Sequence, residues 1–391
     1  MRPDVFAPAT LGPVTLRNRV VKAATFEART PYGVVTDALV DFHRTIAAGG
    51  VGLTTVAYCA VAPEGRTHAE QVVVGRRTAP GLARLADAVH AQGAKVSAQL
   101  GHAGPVANGR SNGVPAIAAS RMPSPLSMQM VRSATGADLA RVTRQYVAAA
   151  RTLVDAGFDV LEVHLSHSYL ISSFLAPGLN RRRDRFGGSL ENRARLARQV
   201  VRAVREEIGD EAAVIAKTSL SDGFRGGLTT AEGLDLARML EADGALDALQ
   251  LTGGSSLMNP MYLFRGGAPV KEFAASMPLP VRIGMRTVGK GFLKEYPFRE
   301  GYFLDKALEF RKELAIPLML LGGINQRDTM ERAMGLGFDF VVMGRALLHE
   351  PGLVNRLAAE AGGSGTCIHC NRCMPTIYSP GGTHCPVLAE Q

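Results

Sequence analysis

The feature that most constrains this chain is a series of eight short apolar runs, each bounded by turn residues. They are RVVKAAT (19–25), VGLTTVAY (51–58), AKVSAQL (94–100), DVLEVHL (159–165), AVIAKTS (213–219), ALQLTGG (248–254), PLMLLGG (317–323) and FVVMGR (340–345). All are of strand length and apolar on both alternating faces, as strands of a buried parallel sheet are. Between them LARLADAVHAQG (82–93), LARVTRQYVAAARTLVDAG (139–157) and LENRARLARQVVRAVREEIG (190–209) carry apolar residues at helical spacing and stop at glycine. TAEGLDLARMLEADG (230–244) opens on Thr230 as the expected N-cap, and a further helix is expected near 303–315. Eight strand–helix repeats predict an α/β fold, a (β/α)8 TIM barrel. An open doubly wound sheet competes, but no GxGxxG follows the first run.

Two connections exceed plain crossovers. Residues 101–137, rich in Gly, Pro and Ser, are expected to form a loop or lid, and 255–316 to form an elaborated strand-to-helix link. The 391 residues accommodate one such barrel over 1–361 and a Cys-rich tail over 362–391. No apolar run approaches the roughly 20 residues that span a bilayer. The N-terminus lacks the apolar segment of a secretion signal, so a cytoplasmic location is expected. The net charge of +9 is scattered, without interleaved aromatics, so no nucleic-acid partner is expected. A small phosphorylated ligand accounts for the bias as well.

The ends of the runs carry the chemistry. They place Thr25, Tyr58, Gln99, His164, Lys217, Gly322–Gly323 and Gly344–Arg345 at one rim, with His167 and Tyr169 just beyond the fourth run. Glycines after runs seven and eight let backbone N–H groups approach a phosphate, and Arg345 adds a charge-assisted contact. Ordinary turn glycines are the alternative. Gln99 offers a donor and an acceptor and Lys217 a positive charge, a combination suited to a heterocycle such as a reduced flavin. A rim glutamine and a salt bridge would explain them equally. His-x-x-His-x-Tyr supplies two donors for a developing oxyanion and a phenol able to act as general acid. Rim histidines bonded to backbone are the plainer reading.

Cys59 stands alone, whereas Cys367, Cys370, Cys373 and Cys385 crowd CIHCNRCMPTIYSPGGTHCP (367–386). Cys-x2-Cys-x2-Cys with a fourth thiol beyond a Gly-rich turn is typical of a [4Fe–4S] cluster. A four-cysteine zinc site or a metal-free tail are the alternatives, and His369 could substitute as a ligand.

PATLGPVTLRNRVVKAAT (8–25), PEGR (63–66), AQLGHAG (98–104), EVHLSHSYLISSFLAPGLNRRRDRFGGSLENRARL (162–196), LLGGI (320–324) and VVMGRALLHEP (341–351) together resemble the old yellow enzyme family of FMN-dependent oxidoreductases. The resemblance covers nearly the whole chain. It implies FMN at the C-terminal mouth of the barrel, with Ala24, Thr25, Tyr58, Gln99 and Lys217 around the isoalloxazine and Gly322, Gly323, Gly344 and Arg345 at its phosphate. It implies that His164 and His167 bind the carbonyl oxygen of an electron-poor alkene and that Tyr169 protonates the α-carbon. Lys217 stands where many members carry arginine, keeping the charge and losing the planar fork. The tail is similar to the iron–sulfur branch, the trimethylamine dehydrogenase and dienoyl-CoA reductase-like proteins. Those proteins continue into a second nucleotide-binding region, whereas this sequence stops six residues after Cys385.

The activity implied is reduction of activated C=C bonds of α,β-unsaturated carbonyl compounds by NAD(P)H. The alternative is an amine dehydrogenase or demethylase passing electrons through the cluster to a partner protein. HSYL (167–170) leans to the second reading and His164 to the first. The partners expected are thus an alkene substrate and a nicotinamide cofactor, with homo-oligomerisation left open.

Overall fold

The computed structural model describes residues 4–124, 127–277, 282, 289 and 291–389. Eight parallel strands close into a barrel: β1 (Val20–Lys22), β2 (Leu53–Ala60), β3 (Lys95–Gly101), β4 (Val160–His164), β5 (Ala213–Ser219), β6 (Ala248–Thr252), β7 (Leu318–Leu321) and β8 (Phe340–Met343). Their order around the barrel is their order in the chain, and β8 closes on β1 with Val341 opposite Val20. The eight apolar runs are these eight strands. Every residue of β2, β4 and β5 is buried, because one face fills the barrel and the other meets helices.

The helices follow their expected positions. Ala79–His90, Gly136–Asp155 and Leu190–Ile208 bury their apolar stripes against the strands. The helix Thr230–Ala242 is capped one residue earlier than its sequence suggested. Thr229 Oγ1 accepts from Glu232 N, and the Glu232 carboxylate accepts from Thr229 N in return. Of two adjacent threonines, only the first has an acid three residues on to close a capping box. Leu304–Glu313 is the helix expected near 303–315.

The 101–137 connection is not irregular. Ile117–Ala118, Met122–Ser124 and Gln129–Ser133 form a three-stranded sheet at the mouth, made of strands too short to show an alternation. At the other end, the hairpin Ala9–Leu11/Val14–Leu16 turns at Gly12, where φ is +55°. A Cβ there would lie 2.5 Å from the Asp247 carboxyl carbon, so the hairpin abuts the start of β6. Part of the 255–316 link lies outside the described residues.

The tail packs across the strand C-termini. Thr383 N donates to Glu27 O at 2.8 Å and Thr383 Oγ1 to Phe26 O at 2.5 Å. At its other end, Gly267 N donates to His369 O at 3.1 Å, and the buried Asn371 Nδ2 donates to Gly267 O at 2.9 Å and to Phe264 O. The tail therefore bridges the segment after β1 to the segment after β6. No helix among the described residues is long and apolar enough to cross a membrane.

Candidate active site at the strand C-termini

His164 closes β4, and the chain then turns sharply. His167 and Ser168 adopt φ of 62° and 60°, the left-handed region that non-glycine residues enter at a cost. That double turn folds His167 and Tyr169 back over the strand end. The His164 and His167 rings lie 5.1 Å apart edge to face, and His164 and Tyr169 4.7 Å apart. Tyr58 joins them at 5.3 Å from Tyr169, its hydroxyl donating to Gly65 O at 2.7 Å. Ala24 packs in the same apolar cluster.

Both imidazoles are buried and neutral. Burial, then the positive Lys217, pushes His167 down to about 3. Burial, His167 and Lys217 hold His164 well below the ordinary imidazole range. A neutral imidazole keeps one N–H, so each ring is a single donor. Ser166 Oγ lies 3.3 Å from His164 Nδ1, and Thr252 Oγ1 lies 3.1 Å from His167 Nε2. Burial likewise raises the Tyr169 phenol, which stays protonated as a general acid must be.

Beneath this group lies a polar layer inside the barrel. Gln99 Nε2 donates to Glu162 Oε1, and Lys217 Nζ stands 3.9 Å from the same oxygen. Lys22 Nζ donates to Glu27 Oε1 at 2.6 Å, and Glu27 Oε2 accepts from Ala57 N at 2.9 Å. Gln250, opposite Lys217 in the β5–β6 register, is fully buried with both ends of its amide unpartnered. Glu162 and Gln250 were missed in the sequence. Their signal was a polar residue in the middle of an apolar strand, which must face either a partner or a ligand.

The glycines sit at the same rim. Gly322 and Gly323 have φ of 125° and 76°, and a Cβ on either would collide with Phe303 or Tyr302 at 2.7 Å. A Cβ on Gly344 would reach no atom nearer than Thr25 Cγ2 at 3.7 Å, leaving that backbone open. Arg345 is turned toward the tail, donating to Arg265 O at 3.0 Å and to Asn371 Oδ1. It lines a cavity with Cys367, Cys370, Cys373 and Cys385. His349 Nδ1 lies 3.2 Å from Cys385 Sγ in that cavity. Burial raises the Cys373 thiol to about 12, opposed by Arg345.

Residues 4–251 match the model of the NADH:flavin oxidoreductase / NADH oxidase family. The chain is 54% identical over 385 residues to 4,4'-dithiodibutanoate disulfide reductase of Rhodococcus erythropolis, covering 98% of this chain and 95% of that one. This chain belongs to the old yellow enzyme family. Another relative, the metal reductase of Desulforamulus reducens, is 32% identical across 99% of this chain, which spans only 53% of its length. In fold, this old yellow enzyme family member superposes on a 2-naphthoyl-CoA reductase complex with a TM-score of 0.83 at 24% identity, over 98% of this chain and 56% of that one. It superposes on the old yellow enzyme homologue from Zymomonas mobilis with a TM-score of 0.74 at 22% identity, over 98% of both chains.

An old yellow enzyme uses FMN and NAD(P)H, and the residues present fit that cofactor. The unpartnered amide of Gln250, the Gln99 amide and the Lys217 ammonium give the barrel mouth donors and acceptors for a polar heterocycle. Unobstructed glycine backbone at Gly344 lies across the rim from them.

Proposed function

We propose that this protein is an FMN-dependent NAD(P)H oxidoreductase that reduces small electrophiles, with activated C=C bonds of α,β-unsaturated carbonyl compounds as its substrate class. The observation that carries the reading is the stack of two neutral imidazoles and a protonated phenol over the Gln99–Lys217 layer. Ala24, Thr25, Tyr58, Gln99 and Lys217 would hold FMN, with Gly322, Gly323, Gly344 and Arg345 at its phosphate, and the bound flavin would supply the hydride. His164 and His167 then hold the carbonyl oxygen of an α,β-unsaturated substrate through one N–H each. Being neutral, they stabilise negative charge developing there without giving up a proton. Tyr169, its ring 4.7 Å from that of His164, delivers the proton to the α-carbon. The apolar wall of Tyr58 and Ala24 excludes water from these donors.

A second substrate class has its own support. The 54% identical relative is named for reduction of a disulfide, and the same site serves S–S cleavage. There hydride would add to one sulfur, and the neutral imidazoles would hydrogen-bond the single departing thiolate while Tyr169 protonates it, so one disulfide, one NAD(P)H and one proton give two thiols and NAD(P)+.

The four tail cysteines we assign to a [4Fe–4S] cluster rather than to zinc. All four line one cavity, and Cys-x2-Cys-x2-Cys with a fourth thiol beyond is the spacing of such clusters.

The test is turnover by the purified flavoprotein with NADH and NADPH against 2-cyclohexenone and 4,4'-dithiodibutanoate, reading reduced ketone and free thiol separately. His164→Ala and Tyr169→Phe are expected to abolish ketone formation. Alkene turnover surviving both changes refutes the roles, and flavin reduced only by methylated amines replaces the reading with amine oxidation.

A further inference from the structure

Glu162 is fully buried in the barrel, and nothing assigned to it so far explains why an acid occupies the middle of an apolar strand. Its Oε1 has two neighbours, both expected at the flavin: the Gln99 amide N–H and the Lys217 ammonium at 3.9 Å. The other buried cation of the layer, Lys22, has its own counter-ion in Glu27 at 2.6 Å. Glu162 is therefore the charge that answers Lys217.

We infer that Glu162 is a positioning residue that sets the orientation of Gln99 and the effective charge of Lys217 toward the flavin. This rests on the flavin-site reading above. An ionised carboxylate only accepts hydrogen bonds, so the Gln99 NH2 must turn to Glu162 and its carbonyl oxygen must turn away. Gln99 is thereby fixed as an acceptor for a ligand N–H, which the pyrimidine edge of an isoalloxazine offers. The carboxylate also offsets the field of Lys217, which would otherwise favour the reduced, negatively charged ring more strongly. Glu162 thus holds the bound flavin at a lower potential, where it is the stronger hydride donor.

The experiment is the midpoint potential of bound FMN, by dye-coupled photoreduction, in wild type, Glu162→Gln and Glu162→Asp. Glutamine keeps the shape, loses the charge and can meet Gln99 with either end of its amide. Glu162→Gln is expected to favour reduced over oxidised flavin at least tenfold, about 30 mV upward for a two-electron couple. Glu162→Asp, which keeps the charge, is expected to recover most of that shift. An unchanged potential in folded, flavin-loaded Glu162→Gln overturns the inference and leaves Glu162 a structural ion-pair partner.

A lone buried ammonium could prevent Glu162→Gln from folding. Lys217→Met is then compared with the double variant Glu162→Gln/Lys217→Met. The double variant is expected to have the higher potential, and equal values overturn the inference. Gln99→Met and Lys217→Met also separate the two levels of the argument. If neither alters flavin affinity or potential, the flavin-site reading itself has failed. If they do and Glu162→Gln does not, only the role of Glu162 has.

Discussion

The neutral histidines make a prediction whose size follows from their burial. His102 and His167 are buried, and burial is the largest cause holding them at about 4 and about 3. In the unfolded chain an imidazole titrates at about 6.5. Between these values the unfolded chain binds protons that the folded one refuses, so stability rises with pH through this window. It is fully present above about 6.5 and is lost as pH falls. Going from pH 7.5 to pH 5 removes about 2 kcal/mol for each such imidazole, because the folded form stays unprotonated throughout. The chain has no tryptophan, so urea unfolding is followed by far-UV circular dichroism at both pH values. His167→Asn, which keeps a donor and cannot titrate, is expected to lose about 2 kcal/mol less than wild type over that interval. An identical pH dependence in wild type and variant would refute a neutral buried His167. So would a His167 C2–H resonance titrating near 6.5.

Tyr169→Phe is expected to lower alkene turnover by roughly 10²–10⁴ while flavin reduction by NAD(P)H stays at the wild-type rate, measured by stopped-flow bleaching. Glu27→Gln leaves the Lys22 ammonium buried without its 2.6 Å partner and is expected to cost about 3–5 kcal/mol, read from urea midpoints. Asn371→Ala removes the donor shared by Phe264 O and Gly267 O, and is expected to cost about 1–3 kcal/mol and to raise proteolysis of the tail. Cys385→Ser is expected to abolish bound iron but to retain FMN, because Thr383 and Asn371 fasten the tail without thiols; unchanged iron content would refute the cluster assignment.

The barrel was legible because its signal repeats. Eight buried strands must each be apolar on both faces, and helices must intervene for parallel strands to connect, so the sequence carries the same pattern eight times. The small sheet over 117–133 lacked that redundancy. Its strands of two to five residues include Pro123 within Met122–Ser124, and they read as loop. The shifted cap at Thr229 is the same lesson at one residue: adjacent threonines look alike until the reciprocal bond from Glu232 is drawn.

At the site, the residues that stood out in the sequence were those at strand ends, where a polar side chain looks out of place. His164, His167, Tyr169, Gln99 and Lys217 were singled out that way, and the structure brings them together at the strand C-termini. Glu162 and Gln250 were not, since an acid or an amide within an apolar run looks like a tolerated exception. Energetics argue the reverse. Burying a carboxylate costs several kcal/mol unless it is paired, so a strand that keeps one sets it against a partner, as Glu162 is set against Gln99 and Lys217. Arg345 shows what position alone leaves out: the structure turns its side chain toward Asn371 and the cysteine cavity. Arg345 follows β8 at the barrel rim and reaches that cavity, so one side chain joins the rim to the tail. The tail is thus part of the face formed by the strand C-termini, fastened on one side at Phe26–Glu27 after β1 and on the other at Phe264–Gly267 after β6.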